Sequence, residues 1–185
     1  MSLRTEHGGR GRGIAAAIEG LFGLTWFAWA NAEAPGWLSP VLLVGSVLAL
    51  VVLVAGVVLA VRSPAGSTPM ADPAIRRRYN LVVAIEFAVI FLGAALLGRF
   101  APDFVAAWIA LVVGVHFVPL GRYFGERLLE VAGWVITAVA VAAGVVALTT
   151  DANSSTVAGV GTGLTLLVAG ALALLGIRLF GTARV

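Results

Sequence analysis

Six long apolar runs, each close to the roughly 20 residues a helix needs to cross a bilayer, leave this chain little freedom in what it can become. They lie at Ile14–Asn31, Pro40–Val61, Asn80–Gly98, Phe104–Gly121, Val131–Thr149 and Thr156–Ile177. The expectation is an all-α polytopic membrane protein with six transmembrane helices. Hydrophobic residues make up 61% of the chain and charged ones 11%, against about 45–50% and about 25% in an average soluble domain. The longest polar connection, Ser63–Tyr79, is too short for a folded soluble domain. Residues 14–180 therefore read as one embedded domain, with a mobile cytoplasmic tail at 1–13 and a short cytoplasmic tail at 181–185.

A net charge of +3 and a pI near 10.6 would suggest nucleic acid in a soluble chain. Here the basic residues, all of them arginine, flank apolar spans, so the lipid bilayer is the expected partner and nucleic acid is not. Arg4, Arg10 and Arg12 precede the first span. Arg62, Arg76, Arg77 and Arg78 follow the second, Arg122 and Arg127 the fourth, and Arg178 and Arg184 the sixth; Arg99 stands alone on the other side. The positive-inside rule then puts both termini in the cytoplasm. With no cysteine, disulfides and thiolate chemistry are excluded, and no residue spacing calls for a metal or a cofactor.

Local signals divide the spans. The first has features of a signal peptide, with a basic start, an apolar middle and Ala30-Asn31-Ala32, but Glu19 and the length of the run favour a retained helix. Ser39 and Pro40 read as N-cap and first residue of the second helix, and Asp72 and Pro73 as the same pair for a surface extension of the third. Arg122–Glu130 reads as an amphiphilic link, and Asp151–Ser155 as a capped polar turn. Trp26, Trp29, Trp37 and Trp108 read as an outer aromatic belt, Tyr79 and Tyr123 as an inner one. Gly159 and Gly163 form a GxxxG pair, a helix-contact surface rather than a phosphate loop. Gly45-Ser46 lacks the following glycine of a membrane serine protease and lies away from His116.

The chain also carries a faint internal repeat. Ala17-Ile18-Glu19 recurs as Ala84-Ile85-Glu86, and in the same register Ala34-Pro35 falls on Ala101-Pro102. A weaker third copy puts Thr137 in place of the glutamate. Three repeated helical hairpins, all entering from the cytoplasm, are the architecture this suggests.

The hairpin Asn80–Gly121 reads as the centre of the chain, because each of its runs holds an ionisable residue, Glu86 and His116. Ionisable groups within hydrocarbon are costly and mark functional sites by default. Glu19 and Glu86 each lie about six residues beyond the cytoplasmic start of their spans, roughly 9 Å deep at 1.5 Å per residue. His116, six residues before Arg122 on a helix running the other way, and Thr137 fall at a similar depth. Glu86, His116, Glu19 and Thr137 are thus candidates for one inner-leaflet layer that binds a proton or a small polar solute. Pro119 frees the carbonyl of Val115 beside the imidazole. Burial disfavours the charged form of either group and a partner restores it, so a Glu–His pair suits proton exchange. The alternative is structural: the layer only bonds helices together.

Gly114-Val115-His116-Phe117-Val118-Pro119-Leu120 resembles a G-x-H-F-x-P-L stretch of small multi-pass bacterial membrane proteins, and the six-span layout is similar to that of the acid-resistance membrane protein family. The resemblance implies a bacterial cytoplasmic (inner) membrane location and transfers no residue role. The function expected is a small transporter or channel subunit, acting as a homo-oligomer because six spans seldom enclose a full path. The alternative is a non-transporting accessory, stress or sensor protein. No nucleophile–base pair supports an enzyme.

Overall fold

The computed structural model describes residues 9–64, 73–150 and 152–177, together with the backbone but not the side chains of residues 74, 75 and 78. Among them there is no strand. Six helices are present: α1 (Gly9–Glu33), α2 (Ser39–Arg62), α3 (Pro73–Phe100), α4 (Val105–Phe124), α5 (Arg127–Thr149) and α6 (Ser154–Leu175), with a short 3-10 turn at Pro102–Phe104 before α4. All six are long and apolar enough to cross a membrane. Arg4, Asp72, Asp151, Arg178, Arg184 and the expected tail at 181–185 lie outside the described residues.

Several boundaries differ from the sequence expectation. Helix α1 begins at Gly9, inside the segment expected to be a mobile tail, and Gly13 there meets the α2 backbone at Gly56 and Ala60. Ser39 does not cap α2: Leu38 flanks the helix, no side chain caps it, and the proline falls within the first two positions. The Arg122–Glu130 link shrinks to Gly125 and Glu126, as α4 and α5 each run into it. Gly125 supplies the left-handed turn, with φ of 68°, and the Glu126 amide reaches back to the Gly121 carbonyl at 2.8 Å. This is the glycine-terminated helix end in which leftover carbonyls find partners. Gly176 closes α6 the same way, and the Arg12 guanidinium lies against it, a cation at the negative end of a helix dipole. At the start of α6, Asn153 caps by accepting from the Ser155 amide at 2.9 Å. Asn153→Ala should lower stability by about 1 kcal/mol, checked by the unfolding midpoint in detergent.

Small residues set the packing. A Cβ on Gly20 would stand 2.5 Å from the Leu53 backbone nitrogen, and one on Gly56 would stand 2.5 Å from that of Ala17. The α1 and α2 backbones are therefore in direct contact, as small residues permit between apolar helices. Phe27, 2% exposed, fills the space over Gly45 of α2 and Gly163 of α6. Gly159 meets Trp26 and Ala30, so the GxxxG pair is indeed a helix-contact surface. Gly161, between them, faces Val139 of α5. Ser46 spends its hydroxyl on the Leu42 carbonyl of its own helix, at 2.9 Å.

The organising element is α6, which packs against α1, α2, α4 and α5. The expected centre, the α3–α4 hairpin, is the most loosely packed of the three sequential hairpins. Among the described residues, helix α3 touches only α4 and the short 3-10 turn, and none of its span is buried. Nor are the hairpins three equal units: α1 packs closely on both α2 and α6, and the nearest neighbour of α5 is α4. The core between α4, α5 and α6 is alanine-rich, with Ala106, Ala110, Ala140 and Ala158 around Ile136 and Leu166. Trp26 joins it at 5% exposure, and so is a core residue rather than a belt anchor. Trp37 is 76% exposed. On α2 and on α3 large apolar side chains face outward, Val41, Leu43, Phe91 and Leu92 among them, as lipid-facing or interface surfaces do.

Candidate functional site

The α3–α4 seam is built from three contacts at even spacing. Tyr79 sets its ring 6.3 Å from that of Phe124. Two turns along, Glu86 Oε2 lies 3.4 Å from His116 Nε2. Two turns further, Gly93 leaves room for the Trp108 ring, whose Nε1 donates to the Val89 carbonyl at 3.3 Å. Tyr79, Glu86 and Gly93 recur every seven residues, so they line one helix face, and the antiparallel partner supplies Phe124, His116 and Trp108. Trp108 is thus a seam residue, not an aromatic-belt anchor. The seam has no buried apolar core, so its polar contacts carry a large share of what joins α3 to α4.

Glu86 and His116 are both mostly shielded, with side chains 14% and 11% exposed. At 3.4 Å they meet at ion-pair distance, longer than a good N–H···O hydrogen bond. Pro119 lies within α4, one turn beyond Val115, and cannot donate to it.

Thr137 takes no part in this pair. Its hydroxyl donates to the Gly133 carbonyl at 2.8 Å, and it packs where a Cβ on Gly114 would fall, 2.6 Å from its Oγ1. Gly114 and His116 are two residues apart on α4, which at about 100° per residue sets them on opposite sides of the helix. Thr137 therefore belongs to the α4–α5 seam.

Glu19 occupies a third place. It is 7% exposed and faces α6 beside Gly170, on a helix that packs against α2 and α6, whereas among the described residues α3 packs only on α4 and the 3-10 turn. Of the four candidates, the structure brings together Glu86 and His116. Glu19 and Thr137 sit on other seams.

Two polar clusters were not anticipated. At the arginine-bearing end, Glu130 accepts from Arg122 Nε at 2.8 Å and from Arg127 at 3.3 Å, tying α4 to α5 across their two-residue link. At the opposite end Glu33 of α1 accepts from the Ser155 hydroxyl at 2.6 Å and from the Asn153 amide, and Ser154 donates to the Asp103 carbonyl. The Arg122–Glu130 spacing is visible in sequence; the Glu33–Asn153 partnership spans most of the chain and has no local signal. An open cleft of about 400 Å³ at this end is lined by Asp103, Thr150, Asn153 and Ser154. An apolar groove of about 390 Å³ runs between Val139, Val157 and Gly161. Neither adjoins Glu86, His116 or Glu19. Among the described residues no group of three or more potential ligands could hold a metal ion. No family model, no curated protein and no solved structure matches this chain.

Proposed function

We propose that this is an integral membrane protein in which Glu86 and His116 bind and exchange a proton, as part of a small transporter or channel subunit. The observation that carries this reading is the 3.4 Å approach of a carboxylate and an imidazole from two helices that are each long and apolar enough to span a bilayer. Paired ionisable groups at such depth are the usual elements of proton pathways. The two side chains nearly touch, which leaves room for a proton between them and for nothing larger. The pattern of arginines favours both termini on the cytoplasmic side, and the resemblance of the Gly114–Leu120 stretch favours a bacterial cytoplasmic membrane. The exposed face of α3 favours a homo-oligomer, and the glutamate-bearing hairpin repeat would make α1–α2 a relative of α3–α4.

The second reading is that of a non-transporting accessory protein in which the pair only holds α3 to α4. The small size of that seam favours it. The test is to reconstitute the purified protein in liposomes, impose a pH gradient and follow its decay with an entrapped dye. Faster decay than in empty liposomes supports proton exchange. A decay equal to that of empty liposomes defeats it and leaves the packing role.

A further inference from the structure

A second carboxyl is enclosed in this bundle, and the Glu86–His116 pair makes no use of it. Glu19 is more than nine-tenths buried; its Oε2 is sealed from solvent and meets no hydrogen-bond donor. A buried polar atom without a partner is rare in native proteins and asks for an explanation. An ionised carboxylate left so would cost several kcal/mol.

Among the described residues, the surroundings supply no cation to offset that cost. On α2, the stretch facing α1 between Ala49 and Gly56 has no titratable side chain, and α6 has none from Ser154 to Leu175. On α1 itself Arg12 lies about two turns away, and its guanidinium is against Gly176 at the end of α6. Glu126, in the link between α4 and α5, is close enough for its charge to act on Glu19, and it is an acid too. The cations of that link, Arg122 and Arg127, are engaged by Glu130. Space is equally restricted: a Cβ on Gly170 would already stand 3.3 Å from Glu19 Cβ and 2.8 Å from Val52 Cγ1.

We infer that Glu19 is a proton-binding site on the α1–α6 seam, separate from the Glu86–His116 pair. A proton is the ligand this site can take, because it neutralises the carboxylate without needing volume or further ligands. The inference does not depend on whether Glu86 and His116 carry protons across a membrane.

The test uses the full chain in liposomes and an apolar carbodiimide, dicyclohexylcarbodiimide, which reacts with protonated carboxyls in apolar surroundings; the modified residue is located by mass spectrometry. At neutral pH Glu19 is expected to be labelled, and the label to fall about tenfold per pH unit once the medium is alkaline enough to remove the proton. In Glu126→Gln, which lacks the like charge, the label should be lost at a lower pH than in the wild type. Glu19→Gln should lose the label while Glu86 keeps its own reactivity. If Glu19→Gln does not fold, the wild type and Glu126→Gln still decide the question. A chain unlabelled at Glu19 at every pH overturns the inference. So does protection of Glu19 by sodium ions at constant pH, which would make the ligand a metal cation.

Discussion

Glu86→Gln should slow the decay of a pH gradient across protein-bearing liposomes by about tenfold or more, and His116→Ala should do the same. A positioned proton donor or acceptor contributes roughly 10²–10⁴-fold to a proton-transfer step. Glutamine keeps the shape of Glu86 and the chance of a hydrogen bond to His116 while removing the exchangeable proton, so it separates transfer from packing. The double variant should be no slower than the worse single one, because two groups acting as a unit are not additive. If the pair is only a fastener, the pattern reverses. Flux would then be the same in all variants, and the loss would be in stability, on the order of 0.6–2 kcal/mol for a polar contact between membrane helices. The α3–α4 seam would register such a loss strongly, since Trp108 and Tyr79 are its other supports.

The second large effect concerns the α1–α2 contact. Gly20→Leu should destabilise the protein by about 1–3 kcal/mol or more, the range for overpacking a close-fitted core, read as a shift in the unfolding midpoint in mixed detergent. The reason is that the obstacle is backbone: the Leu53 nitrogen and the Ala49 carbonyl stand 2.5 and 2.8 Å from where a Cβ would sit. A side-chain obstacle could rotate away, whereas here α2 has to move as a body. Gly11 and Gly36 meet nothing within 4 Å of the same position and serve as controls. Gly36→Ala should change the midpoint little. Equal destabilisation by Gly20→Leu and Gly36→Ala would argue against direct backbone contact between α1 and α2.

Number, order and approximate extent of the helices are legible in the sequence because they depend on one coordinate, distance along the chain. A run of apolar residues either is or is not long enough, and turns announce themselves through Pro102, Gly125 and the Asn153-Ser154-Ser155 cap. Height along each helix is legible for the same reason, since a constant rise per residue converts position into height. Direction around the helix axis is not. These helices are apolar on every side, so hydrophobic patterning, which orients a helix in a soluble protein, has nothing to contrast. Glu19, Glu86, His116 and Thr137 therefore read as one layer. Which neighbour each of them meets was decided by how the glycine and alanine surfaces fit together. The close fit of Gly114 to Thr137 turns His116 toward α3, and the fit of Gly163 and Gly170 to α1 closes Glu19 into a different seam. The central role of α6 likewise comes from packing. Its small residues admit neighbours on several sides, while α3, with its bulky outward side chains, was left at the edge.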